Sequence, residues 1–347
     1  MTLSKEKIAR MPQFDLLRIV AILIIFNYHF CIDMGLDMGE NPSIFCSYKN
    51  GGWGSVGTCI FFILSGYMIH MTSKNIAVGK YLKKRFLSIY PPLWICFFIA
   101  YAIYGAIRND YFWAGHPARI ILSLMGIDTY VMFYGIPTYA LVGEWFTGMI
   151  IFLYIAYLLL RVLMKKALVI TTIIIAVLYF AEAMIGIQPV FAPDASVFTG
   201  LALFWLGMLF QENKSWLDFG IIKTIMAVIA AVLVLFVPLP YIGNVLPWKN
   251  LLGIALFYLL INMFSLITYG DTSRKVLKYF SGISFIIYLI HHFIIFRVTD
   301  ADIVFTTPIM VTYIIALSTT IVSAVIIDRI WSGIKSIKNN NKKASGG

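Results

Sequence analysis

Apolar residues run through this chain in blocks of roughly 17–22, separated by short polar stretches that hold most of the charge. At 1.5 Å per residue a block of this length matches about 30 Å of hydrocarbon, so each is predicted to be a membrane-spanning α-helix. Ten blocks are found, at 14–33, 53–71, 88–107, 139–160, 167–186, 195–211, 220–239, 250–268, 279–297 and 308–327. The predicted fold class is an all-α integral membrane protein of about ten transmembrane helices. Its third helix is expected to open at Tyr90-Pro91-Pro92, since proline suits a first helical turn. Residues 111–138 form a longer connection in which Ile120–Met125 is apolar but too short to cross, and is expected to lie at the interface or re-enter. Residues 1–334 make one transmembrane domain, and the basic, Asn-rich stretch 335–347 is expected to be disordered. No internal repeat is visible, which weighs against an inverted-repeat transporter.

Charge gives the pattern a direction. Assigning the connections alternately to two sides puts 21 Lys and Arg on one side and five on the other, with Arg18 left inside a block. The positive-inside rule makes the basic side cytoplasmic, with both termini there, in a bacterial-type cell membrane. The first block is too long for the core of a cleavable signal and lacks a small-residue cleavage site, so no cleaved leader is expected.

Composition agrees. Hydrophobic residues make up 61% and charged residues 12%, against about 25% charged in soluble domains. The net charge of +11 sits in short clusters between apolar blocks, which fits a membrane face and not nucleic acid. The four cysteines show no metal-ligand spacing and no C-x-x-C motif, so no metal is expected. Cys31 and Cys46 flank one outer loop and could pair there.

Ionisable groups inside a span cost about 2.5–3.5 kcal/mol on insertion scales, so each needs a reason. The first block holds Asp15, Arg18 and His29. Eleven residues separate Arg18 from His29, about 1100° of helical rotation, so the two share a face about 16 Å apart along the axis. Asp15 could pair with Arg18 one turn away. His29 near the outer end of its span, Glu144 in the outer third of the fourth, and His291 and His292 near the outer end of the ninth are expected at similar depth. Ser284, Tyr288, His291 and His292 follow i, i+4, i+7, i+8 spacing, a stripe suited to lining a cavity. Lys83, Lys84 and Arg85 cluster with Arg18 at the inner end. Plainer readings are a histidine packed between helices, ordinary interhelical hydrogen bonding for Ser284 and Tyr288, and close helix packing at Leu64-Ser65-Gly66. Together the two layers suggest anion binding inside and proton handling outside. A phosphate-bearing acyl donor suits the first, and a histidine that deprotonates an acceptor hydroxyl suits the second.

These residues resemble a known family. Arg18 and His29, ten residues between them, are similar to the first-helix signature of the acyltransferase family 3 membrane proteins. Four further stretches are similar to that family in the same order: Phe61 to Ile69, Lys83 to Pro91, Tyr139 to Trp145 with Glu144, and Ser281 to His292. The resemblance covers nearly the whole chain. It implies transfer of an acyl group, usually acetyl from acetyl-CoA, to a hydroxyl of a surface polysaccharide or lipid-linked glycan, within the membrane lipids. It implies roles for Arg18 and His29 in that transfer and for Arg85 at the cytoplasmic side. Taken with the charge and depth patterns, the expected catalytic residues are His29, Glu144 and Arg18, the donor site Arg18, Lys83, Lys84 and Arg85, and the substrate cavity Tyr139, Tyr288, His291 and His292. One departure is Ser88, where the family often carries a second Arg. Many relatives also carry an extracellular hydrolase-like domain; without one, transfer is expected to finish in the bundle or on a separate partner. A polysaccharide or lipid-linked glycan transporter is the competing non-enzyme reading, and a different membrane O-acyltransferase family the competing enzyme.

Overall fold

The computed structural model describes residues 11–36, 43–188, 193–240, 243–300 and 307–344, without the side chains of Glu144 and 338–344. The described residues are almost wholly helical. Helix α1 (Pro12–Asp33) is followed by a two-residue hairpin, β1 (Ser47–Tyr48) with β2 (Gly51–Gly52), in which Ser47 faces Gly52. Then come α2 (Trp53–Ser73) and α3 (Val78–Arg108), two short helices α4 (Ile120–Met125) and α5 (Asp128–Met132), and α6 (Glu144–Lys166). The second half adds α7 (Leu168–Ile185), α8 (Val197–Glu212), α9 (Ile221–Phe236), α10 (Leu246–Ser265), α11 (Asp271–Thr299) and α12 (Ile309–Ala344). Among the described residues, eight helices are long and apolar enough to cross a membrane: α1, α2, α3, α6, α7, α10, α11 and α12. The apolar α8 and α9 have 16 residues each, or about 24 Å.

Helix α2 is the centre. Of its apolar span 78% is buried, against 22% for α7 and α12, which turn residues such as Ile173, Val177, Ile314 and Val322 outward. That contrast fits an interior helix and two lipid-facing ones. Helix α2 packs on α8, α1 and α10. Its crossing with α8 is made by two glycines: a Cβ on Gly66 would lie 2.0 Å from the Phe204 carbonyl oxygen, and one on Gly207 2.0 Å from that of Ile63. Small residues let membrane helices approach closely, as Leu64-Ser65-Gly66 suggested.

Several expectations are corrected. Helix α3 starts at Val78, so Pro91 and Pro92 lie inside it and not in its first turn. The two missing N–H groups release the Leu87 and Ser88 carbonyls, a loss that membrane helices tolerate where neighbouring helices and side chains re-satisfy the backbone. Consequently Lys83, Lys84 and Arg85 are helical. Helix α6 begins at Glu144, with Gly143 before it at φ 80°; residues 139–143 are outside the helix, and Glu144 opens it instead of lying a turn and a half inside. Helix α12 runs as far as Ala344 among the described residues. Cys31 and Cys46 are both buried, and no disulfide joins them. Helices α4 and α5 are short, as expected for a segment that does not cross.

Candidate active site

Helices α1 and α11 pack along their length and form a polar seam. At one end the Arg18 guanidinium donates to Ser281 Oγ at 3.2 Å, and Ser284 Oγ donates to the Ser281 carbonyl at 2.9 Å. At the other end the His29 ring meets two rings edge-on, His291 at 5.1 Å and His292 at 5.0 Å between centroids. His291 is fully buried. Its Nδ1 is 2.6 Å from the Tyr288 carbonyl oxygen, which can only accept, so Nδ1 carries the hydrogen and Nε2 is the basic nitrogen of the neutral ring. His292 Nε2 stands 4.0 Å from Asp33 Oδ1. Helical spacing therefore brings His29, His291 and His292 together as the sequence predicts, and sets Arg18 about 16 Å away along the axis.

Two cavities open on this seam. The first, about 330 Å³, is lined by Arg18, Arg85, Ser65, Ser88, Ser281 and Ser284, among others. The second, about 410 Å³, is lined by His29, Tyr28, Trp145, Ser55, Thr58 and Asp194, among others. Tyr288, itself buried, lines both. Its ring packs 4.7 Å from Phe146 and 5.3 Å from His291. The guanidinium cavity and the imidazole cavity thus meet at one side chain.

The interior prolines explain how Arg85 reaches its place. Because α3 runs on through Pro91, Arg85 faces the bundle one turn before Ser88, whose Oγ donates to the Arg85 carbonyl at 2.8 Å. The Arg85 guanidinium lies over the rings of Tyr81 and Tyr154, at 5.6 and 5.4 Å, a cation–π cradle that holds the charge without neutralising it. Lys83 and Lys84 are exposed and stand outside the cavity lining.

Glu144's side chain lies outside the described atoms, but its backbone is well placed. Gly143 N–H donates to the Leu289 carbonyl at 3.1 Å, two residues before His291. A Cβ there would lie 2.4 Å from Thr147 Oγ1, so glycine is required both for φ and for space. A third cavity, about 420 Å³, takes in Gly143, Asp128 and His292. Burial pushes the Asp128 carboxyl above the usual carboxylate range, against the opposing pull of the Ser123 hydroxyl, which donates to it at 2.6 Å. Tyr139 stands apart: it packs on Trp113 and Tyr101 and donates to the Gly115 carbonyl at 2.9 Å.

Two polar clusters escaped the sequence reading. Asp194, in a short turn before α8, accepts from Ser55 at 3.0 Å and pairs with Lys249 at 2.9 Å inside the His29 cavity. His70 on α2 is buried between Glu212 and Tyr157, at 2.7 and 3.3 Å. His70 carried the same signal as His29, an ionisable group in an apolar run. Asp194 carried none, because a loop carboxylate breaks no pattern. No metal-binding group of His, Cys, Asp or Glu is found among the described residues.

Two basic guanidiniums at one end of a membrane seam and a histidine cluster at the other suit transfer of a group between an anionic donor and a protic acceptor. Comparison with known proteins points the same way. No match was found among curated proteins or among solved structures. The family model for the acyltransferase 3 group, described as an acyltransferase domain, matches residues 11–328, nearly the whole chain. The chain belongs to this family of membrane acyltransferases.

Proposed function

We propose that this acyltransferase moves an acetyl group from cytoplasmic acetyl-CoA to a hydroxyl of an extracytoplasmic or lipid-linked glycan. The observation that carries the reading is the junction at Tyr288, where the Arg18–Arg85 cavity and the His29 cavity share a wall. In this reading the Arg18 end faces the cytoplasm, which the distribution of basic clusters supports. A cavity of about 330 Å³ is near the lower limit for ligand sites, so it takes the thioester end of the coenzyme. The phosphates remain at the mouth, held by Arg85 and by the exposed Lys83 and Lys84.

His29 accepts the proton of the acceptor hydroxyl as that oxygen attacks the thioester carbonyl carbon. The new C–O bond forms, the C–S bond breaks, and the coenzyme leaves as a thiolate that takes up the proton His29 accepted, which returns His29 to its neutral form. His291, its Nδ1 hydrogen committed to Tyr288, fixes the rings beside His29. Glu144, the first residue of α6, is the carboxylate proposed to take part in catalysis, and Arg18 stabilises negative charge on the donor side. Ser88 lines the donor cavity at the position where the family often carries a second Arg.

The test is glycan chemistry in a deletion strain complemented with His29→Ala. Normal amounts of surface glycan lacking acyl groups are expected. Missing glycan whose remainder keeps its normal acyl content would instead reveal a transporter and sink the enzyme reading.

A further inference from the structure

The His29 cavity contains more than a base. Its wall carries Asp194, a carboxylate held in place from two sides: Oδ2 accepts from Ser55 Oγ at 3.0 Å and from Lys249 Nζ at 2.9 Å. Both partners of the ion pair are largely buried, with 12% and 17% of their side chains exposed. Both bonds fall on Oδ2, and none is found at Oδ1 among the described residues. Lys249 balances the charge and Ser55 fixes the plane, so Oδ1 is a preset hydrogen-bond acceptor facing the cavity. Opposite polar groups, the same cavity offers the flat rings of Trp145 and Tyr28. The Tyr28 ring is seated by missing side chains, for a Cβ on Gly52 or Gly54 would lie 2.5 or 2.4 Å from it.

A fixed carboxylate, hydroxyls and aromatic faces around about 410 Å³ form a recognisable chemical complement. Hydroxyl donors pair with the carboxylate, while the ring carbons of a sugar pack on the aromatic faces. We infer that Asp194, positioned by Ser55 and Lys249, is a specificity-determining residue. It accepts a hydrogen bond from a hydroxyl of the acceptor sugar next to the one that His29 deprotonates. The acceptor class is then a pyranose with neighbouring free hydroxyls, whereas an isolated alcohol would lack half of its contacts. This inference rests on the functional reading above, in which the His29 cavity holds the acceptor.

The experiment uses full-length protein in membrane vesicles, labelled acetyl-CoA, and methyl glucoside, galactoside and mannoside with their monodeoxy derivatives. For the unmodified protein, removing the neighbouring hydroxyl should raise the acceptor KM by about 10- to 100-fold, the usual weight of a charge-assisted hydrogen bond. Asp194→Asn should raise the KM of the parent sugar similarly and erase the penalty for the deoxy sugar, with kcat and donor KM nearly unchanged. Asp194→Glu should recover part of the loss. Should Asp194→Asn fail to accumulate, Ser55→Ala carries the test, with an acceptor KM raised by about three- to tenfold. An unchanged acceptor KM, or a fall in kcat with the deoxy penalty intact, would overturn the inference and leave a merely structural ion pair. Lack of transfer to every hexoside, by protein that still releases coenzyme from acetyl-CoA, would overturn it as well while sparing acyl transfer. Full transfer by His29→Ala would instead defeat the functional reading.

Discussion

The two ends of the α1–α11 seam are built on opposite plans. At the Arg18 end, two guanidiniums share a cavity with hydroxyls and aromatic rings: Arg18 donates to Ser281, and Arg85 lies over Tyr81 and Tyr154. At the His29 end, titratable rings are packed against one another within about 5 Å and backed by a carbonyl. Fixed positive charge suits an anionic ligand that comes and goes, because the planar guanidinium fork matches phosphate and carboxylate geometry. Crowded imidazoles suit a proton that must move, because ring geometry and tautomer are set beforehand. One helix pair thus carries a guanidinium end and an imidazole end, joined at Tyr288; in the proposed reaction the first binds the donor and the second does the chemistry.

The sharpest break in this comparison is directional. Single cysteines placed at Lys49 and Lys80 should react with an impermeant thiol reagent from opposite sides, position 49 alone from outside intact cells. Labelling of position 80 from outside would reverse donor and acceptor ends. Next in size is His29→Ala, which should lower turnover by about 10²–10⁴-fold, the usual contribution of a general base, with coenzyme affinity changed less than about twofold. A turnover loss below tenfold would remove His29 from the chemical end. Arg85→Glu should act in the complementary way, weakening acetyl-CoA binding by about tenfold or more by equilibrium dialysis, and added salt should weaken it further. Coenzyme binding unmoved by both Arg85→Glu and Lys84→Glu would relocate the donor site. The smallest effect belongs to Tyr139→Phe, which loses one hydrogen bond of about 1 kcal/mol outside both cavities. A modest fall in thermal midpoint with unchanged acceptor KM is expected; a large KM change would draw Tyr139 into the site.

Much of this arrangement was legible in the chain, for a definite reason. The positions of Arg18 and His29, and of Ser284, Tyr288 and His291, depend only on helical periodicity, which spacing alone determines. The charge clusters likewise follow from solvent preference. What could not be seen depends on how helices meet. Pro91-Pro92 looked like a helix start because both prolines lack an N–H, yet inside a bundle that loss is absorbed and α3 runs on. Tyr139 belongs by spacing to the run that leads into Glu144, but the φ of Gly143 breaks the helix between them and turns the ring to Trp113. Asp194 sits in a turn, where no period predicts a direction, and joined His29 only through the packing of α8 and α10 around α2.

The glycine pair Gly66 and Gly207 has a mechanical consequence. With each Cα seated against the other helix's carbonyl, α2 and α8 meet backbone to backbone, with no side chain between them to change rotamer and take up slack. Such a joint behaves as a keel. Strain applied by a bound coenzyme would not be absorbed there and would pass to the softer contacts on either side, where side chains can still rearrange. The hull planks able to give are α11, which bears Tyr288, and α1, which bears His29. A chain with a rigid keel and a yielding seam would confine its working motion to the place where the two cavities touch.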